Sequence, residues 1–203
     1  MSFVPIFATR SQVACWMSAL KLIREHSGDA WLWTFTFAEV LPNHYASNIH
    51  RRFTQRIADA QREGRWPNGW GALKVVEVHP GGHGLHFHWL SYPRLDVNNV
   101  RPIARDAGFG RIHVHPDTAT ERAATYLAKY LTKGNGVTGC KVWACLGTFE
   151  GVRVQDVEIQ SHSVDVFRAA YREAIASGKS KAVAYNYARL QQREYDHNRD
   201  DRD

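Results

Sequence analysis

The stretch Glu77-Val78-His79-Pro80-Gly81-Gly82-His83-Gly84-Leu85-His86-Phe87-His88-Trp89-Leu90 constrains the fold of this chain more than any other. On an extended strand, residues two apart project from the same face. His86 and His88 therefore point together, and Leu85, Phe87 and Trp89 point the other way as a wholly apolar face that reads as core. Glu77 lies on the preceding β-rich run, 72–78. A tight turn at Gly81-Gly82 is a strong hairpin signal and pairs Glu77 with His86. A register shifted along the hairpin pairs Glu77 with His88 instead, and either way the acid shares a face with both imidazoles. Two His and one carboxylate on one surface form the donor set of a divalent-metal site.

Size and composition bound the rest. With 203 residues, 44% of them hydrophobic and 12% aromatic, the chain fits one globular domain with a helical extension. No apolar run approaches the roughly 18 residues of a membrane span, and the first ten residues lack the pattern of a signal peptide. The three cysteines, Cys15, Cys140 and Cys145, are odd in number and scattered, which argues for a reducing compartment and against a disulfide framework. A net charge of +6 with 11 histidines and a pI near 9.4 suits a polyanion, and the Trp and Tyr content suits stackable bases.

In chain order, the patterning predicts helices at 11–26, 43–63, 96–107, 117–133, 164–176 and 181–195, and strands at 31–37, 70–78, 85–92, 111–115, 142–149 and 152–159. This order implies an α+β fold, an antiparallel sheet covered by helices in the ferredoxin-like or RRM-like manner. The expected organisation is a main domain over 1–160, a C-terminal helical extension over 161–195 and a charged, disordered tail over 196–203.

A second constellation lies on the helix ending near Lys133. At about 100° per residue, Tyr126, Lys129, Tyr130 and Lys133 fall in one stripe, and Ala124, Leu127, Ala128 and Leu131 in the opposite one. The apolar stripe can dock on a sheet while the Tyr/Lys stripe faces a cleft. A phenol with a pKa of about 10 is a poor nucleophile near pH 7, but a neighbouring ammonium favours the phenolate. The plainer alternative is a half-buried tyrosine pair rimmed by lysine stems.

Together these residues resemble the HUH endonucleases, which start rolling-circle replication of small plasmids and single-stranded-DNA phages. His86-Phe87-His88 is similar to the family's His-hydrophobic-His strand motif, Tyr126 and Lys129 to its helical Tyr-x-x-Lys motif, and Tyr130 to the two-tyrosine form. Trp33-Thr34-Phe35-Thr36-Phe37 resembles its first, Thr-rich strand. Tyr126 follows His88 by 38 residues, in the order of replication initiators rather than relaxases. The resemblance covers about residues 31–133. It implies that His86, His88 and Glu77 hold Mg²⁺ or Mn²⁺ and that Tyr126 or Tyr130 attacks a phosphate of single-stranded origin DNA, with Tyr126 favoured. The products are a 5′-phosphotyrosine link and a free 3′-hydroxyl, and rejoining needs no ATP. It further implies a host polymerase and helicase as partners, since the chain carries no fused helicase, and the cytoplasm of a bacterial host as its location.

Arg51, Arg52 and Arg56, with Lys133, are candidate DNA contacts, and Trp66 and Trp70 are either base-stacking or core residues. His113-Val114-His115 repeats the His pattern without a Gly-rich hairpin or upstream acid, and reads as structural or DNA-contacting. Gly178-Lys179-Ser180 mimics the end of a P-loop, but Glu173 stands where its first Gly belongs. A transposase of the same superfamily, a non-catalytic nucleic-acid-binding module and a zinc hydrolase using water are the competing functions.

Overall fold

The computed structural model describes residues 9–79, 82, 84–115, 120–133, 141–157 and 161–200; for 132, 133, 161–165, 193 and 195–200 it describes the backbone alone. It is an α+β structure with a five-stranded antiparallel sheet and six helices among the described residues. The chain divides into two compact units, Ser11–Val154 and a second comprising Met1–Arg10 and Gln155–Asp203.

The first unit contains α1 (Arg10–Glu25), β1 (Trp31–Thr36), α2 (Asn43–Arg62), β2 (Gly71–Val78), β3 (Leu85–Tyr92), α3 (Val97–Ala107), β4 (Arg111–His115), α4 (Glu121–Lys133) and β5 (Trp143–Gly147). The strand order is β4-β1-β3-β2-β5, so β4 and β5 are the edges. Register decides what each face carries. Glu77 pairs with His86 and Val75 with His88, Thr34 pairs with His88, and Thr34 also pairs with His113 and Leu32 with His115. Directly opposed residues share a face. One face therefore carries Leu32, Thr34, Leu73, Val75, Glu77, His86, His88 and Leu90, and the other Trp33, Phe35, Val76, Phe87 and Trp89.

Both faces are covered. Trp33, Phe35, Phe87 and Trp89 form one core with Phe53 and Ile57 of α2 and with Val100 and Ala104 of α3. Leu32, Leu73, Val75 and Leu90 form a second core with Leu20 and Leu22 of α1 and with Ala124 and Leu127 of α4. Full burial of a side chain of this size contributes about 1.5–3 kcal/mol, so the sheet is held from both sides. The α3 boundaries follow from local chemistry. Asp96 caps its start, its carboxylate accepting from the Asn98 N–H at 2.8 Å. Gly108 ends it in the left-handed region at φ 116°, where a residue with a Cβ is disfavoured.

Two expectations change. The strand predicted over 152–159 does not form among its described residues; Val154–Asp156 is a single 3₁₀ turn. The Val152 N–H donates to Ser18 Oγ of α1 at 2.8 Å, so this backbone is committed to a helix rather than to the sheet. β5 stops at Gly147, where a Cβ would run into the Trp70 carbonyl and ring. Ser11, within α1, accepts from Trp143 Nε1 at 2.7 Å. The first residues of the helix predicted over 117–133 lie outside the described residues, as does Cys140.

In the second unit, α5 (Ser161–Ala176) and α6 (Lys181–Asp200) pack on one another. Gly178 turns the chain between them at φ 81°, and Phe167 meets Tyr185 edge-on at 5.5 Å between ring centroids. The α6 backbone is helical to Asp200, five residues beyond the periodic pattern, through 196–200 of the segment expected to be disordered.

Candidate active site

The site lies on the face of the sheet covered by α4, where β2 and β3 run toward their hairpin. Glu77 and His88 are both buried, 5% and 3% exposed. Burial of a carboxylate is costly without a partner, and His88 Nε2 lies 3.0 Å from Glu77 Oε2. The other ring nitrogen, Nδ1, is 3.1 Å from Thr34 Oγ1 of β1. With Nε2–H donating to the carboxylate, Nδ1 accepts from the threonine hydroxyl. With Nε2 given to a cation, Nδ1–H donates to the same hydroxyl, the outer-sphere arrangement that fixes a ligating histidine.

His86 sits directly opposite Glu77, but its ring lies against that of His79, 4.8 Å between centroids. Among the described residues no group of three or more His, Cys, Asp or Glu side chains is arranged to hold one ion. Two of the expected donors, Glu77 and His88, are together, and the third shares their face and register. The pair still suits an octahedral ion: neighbouring ligand atoms at about 2.1 Å from Mg²⁺ stand about 3.0 Å apart. A buried acid and imidazole at that spacing match the donor chemistry expected of Mg²⁺ or Mn²⁺. His83 lies outside the described residues.

Above this pair runs α4. The Thr120 carbonyl accepts from the Ala124 N–H at 3.2 Å at the start of the described helix. Ala124, Leu127 and Ala128 are fully buried and Leu131 is half-buried, as the apolar stripe predicts. The opposite stripe divides. Tyr126 is 44% exposed and Lys129 is exposed, whereas Tyr130 is only 7% exposed. Tyr130 stacks on the His88 ring at 5.0 Å and 11°. Tyr126 stands 6.0 Å from the same ring at 82°, and the two phenols meet edge-on at 4.5 Å. Burial pushes the Tyr130 phenol well above its ordinary pKa, with the Tyr126 hydroxyl and the Glu77 carboxylate adding to it. Tyr130 is thus held neutral, and Tyr126 is the phenol open to a ligand. Lys133 ends α4, and its side chain lies outside what the structure describes.

Tyr126 opens onto a cleft of about 830 Å³, shared with Leu32, Thr34, His115, Thr120 and Arg122 among others. Thr34 and His115 are the residues that sequence reasoning undervalued. Burial lowers the His115 pKa, and the neighbouring His113 and His88 lower it further, so this imidazole is neutral at pH 7. The period-two spacing of 111–115 does show that His113 and His115 share a face. That the face is the one bearing His88 depends on β4 pairing with β1, a long-range fact.

The structure does not bring the α2 arginines to the site. Arg51, Arg52 and Arg56 are exposed on the helix that packs on the aromatic face, and Arg56 Nη1 pairs with Asp106 at 2.6 Å. Trp66 and Trp70 are both 3% exposed in that same core, which leaves neither free to stack on a base.

In comparisons with known proteins, no family model, no curated protein and no solved structure matches this chain. No helix among the described residues is long and apolar enough to cross a membrane.

Proposed function

We propose that this protein nicks and rejoins single-stranded DNA through a covalent tyrosine intermediate, as a replication initiator of the HUH kind, with Tyr126 as the first nucleophile. The observation that carries the reading is the placement of a half-exposed phenol at the mouth of a large cleft, 6.0 Å from the ring of a buried His88 that is itself bonded to Glu77. The finer likeness to a ferredoxin-like or RRM-like nuclease domain belongs to the same proposal.

In this reading Glu77 and His88, with His86 beside them, would hold Mg²⁺ or Mn²⁺. When bound, such an ion neutralises charge on the scissile phosphate and makes phosphorus easier to attack. Thr34 keeps the His88 ring in one orientation. The Tyr126 Oη attacks phosphorus, an Oη–P bond forms and the P–O3′ bond breaks. The upstream strand leaves as its 3′-oxygen, which takes a proton from solvent to become the 3′-hydroxyl, and the downstream 5′-phosphate stays on the tyrosine. His115, neutral in the same cleft, is the acceptor for the phenolic proton. Lys129, three residues along the helix, carries a positive charge to the side of α4 that the phosphate would approach. Tyr130 keeps its proton and backs the His88 ring, so it takes part as a nucleophile only after Tyr126 has been used. Reversal with a new 3′-hydroxyl closes the strand. A host polymerase would extend the freed 3′-end, and a host helicase would open the duplex.

The test is incubation with Mn²⁺ and a 3′-labelled pool of randomised single-stranded oligonucleotides, followed by denaturing electrophoresis. The expected result is an SDS-resistant labelled adduct that Tyr126→Phe abolishes and EDTA prevents. Cleavage without adduct would assign the site to a hydrolase using water, and neither cleavage nor adduct would overturn the reading.

A further inference from the structure

We infer that the outer edge of β4 is a seat for phosphates of a single-stranded nucleic acid, and that it leads the strand into the cleft at Tyr126. The inference gives the path of the strand in the nicking reading and rests on that reading for where the path ends.

The observation is a second cavity, about 190 Å³, lined by Arg101 and Arg105 of α3 and by Gly110, Arg111, Ile112 and His113. Arg101 and Arg105 are one helical turn apart and so neighbours on α3, a like-charge arrangement that destabilises a helix unless something compensates it. Among the described residues no carboxylate does. None of the ion pairs among the described residues involves Arg101, Arg105 or Arg111, and Asp106, the acid beside Arg105, is taken by Arg56. All three guanidiniums are exposed. Guanidiniums gathered without acids around one concavity match the bidentate chemistry of a phosphate.

Topology supplies the direction. β4 is an edge strand, so one row of its backbone groups is left unpaired by the sheet. Arg111, His113 and His115 alternate along it, all exposed, and register puts them on the face that carries Thr34 and His88. From Arg111 to His115 is about 13 Å at 3.3 Å per residue, and His115 already lines the Tyr126 cleft, as does Arg122. Guanidiniums therefore stand at both ends of this path, Arg101, Arg105 and Arg111 at the first cavity and Arg122 at the Tyr126 cleft, with the His113 and His115 rings between them. The α2 arginines Arg51, Arg52 and Arg56 line neither cavity, and Arg56 is paired to Asp106.

The test is fluorescence anisotropy of labelled oligo-dT, 30 nucleotides long, over a range of NaCl without divalent metal. The proteins are the wild type, the double variant Arg101→Ala/Arg105→Ala, Arg111→Ala, and Arg153→Ala as a charge-loss control outside the track. Each phosphate contact to a single strand contributes about 0.7 to the salt slope. The double variant should lose about 1.4 from the slope and, at 0.1 M salt, bind about 25-fold more weakly. Arg111→Ala should lose about half of that slope, and Arg153→Ala should match wild type. Thermal melting checks that the double variant folds; removal of two like charges should not lower its midpoint. An unchanged slope in a folded double variant, or no wild-type binding to oligo-dT, overturns the inference. So does competition by polyglutamate as effective as unlabelled oligo-dT at equal charge, which would make the edge a seat for acidic protein. An adduct at Tyr126 with an unchanged slope refutes the path and leaves the nicking reading standing. A reduced slope with no adduct supports the phosphate seat and refutes nicking.

Discussion

Beneath α2 and α3 the sheet presents Trp33, Phe35, Phe87 and Trp89; beneath α1 and α4 the alternate residues of the same strands are Leu32, Thr34, His86, His88 and Leu90. The aromatic face interlocks ring on ring, with Phe35 5.0 Å from Trp89 and Phe53 5.0 Å from it on the other element. Its one buried imidazole, His50, accepts from Trp89 Nε1 at 3.2 Å and stacks on Phe87, so even the polar group there serves packing. The second face is apolar only where α1 and α4 press on it with leucines and alanines. Toward the hairpin it gives way to Glu77, His86 and His88, with the two phenols of α4 against the His88 ring. One face supplies the rigidity that lets the other hold a buried carboxylate and imidazole in fixed geometry.

If that division is right, substitutions on the two faces should separate activity from stability. Tyr126→Phe should show the largest effect: loss of adduct formation by about 1000-fold or more, about 4 kcal/mol in the barrier. Its denaturation midpoint should be close to wild type, because the side chain is half exposed. Trp89→Ala should do the reverse, costing about 3–5 kcal/mol of stability in urea denaturation through the cavity it leaves; a smaller loss would mean the aromatic face is not the main support.

Next in size is a pH effect confined to the aromatic face. Burial, followed by the Lys74 ammonium, lowers the His50 pKa to about 3, against about 6.5 in an unfolded chain. The unfolded state then binds more protons, so stability rises with pH across that window. It is lost as pH falls from about 6.5 toward 3, by up to about 1.4 kcal/mol per pH unit. His50→Gln keeps an acceptor for Trp89 and should flatten the acid limb in urea titrations between pH 6.5 and 4; an unchanged limb would show that His50 is not its source. Thr34→Val, on the other face, should cost only about 1 kcal/mol of stability yet weaken Mn²⁺ binding about 10-fold or more by releasing His88 Nδ1, measured by isothermal titration. The smallest effect is expected at the exposed pair of Arg24 Nη2 and Glu121 Oε1, 3.4 Å apart, where Arg24→Ala should change stability by less than about 1 kcal/mol.

How much of this was readable in the residues follows the range of the interactions. The Glu77–His86 register, the α4 apolar stripe and the Asp96 and Gly108 ends of α3 all follow from period and turn chemistry within a few residues of one another. The second covered face, the pairing of β4 with β1 and the place of His115 at the Tyr126 cleft depend on contacts between distant segments, which no local period encodes. The same limit explains why Arg51, Arg52 and Arg56 look like DNA contacts in sequence. A basic helix face is visible locally, but the side of the sheet it occupies is not. Tyr126 and Tyr130 are equivalent in the helical pattern, and only the docking of α4 buries one and exposes the other. The segment 152–159 has strand-like residues, yet the Ser18 hydroxyl takes its Val152 N–H.

The division of the two tyrosines is the central claim, and the chain allows it to be read directly. Trypsin cuts after Arg122, Lys129 and Lys133, so Tyr126 and Tyr130 fall in separate peptides, 123–129 and 130–133. The protein is allowed to react with single-stranded DNA and Mn²⁺, digested with nuclease and trypsin, and analysed by mass spectrometry for a nucleotide-bearing peptide. The account predicts the nucleotide on 123–129 after a single turnover. A first-turnover adduct on 130–133, or on any peptide outside α4, would contradict it.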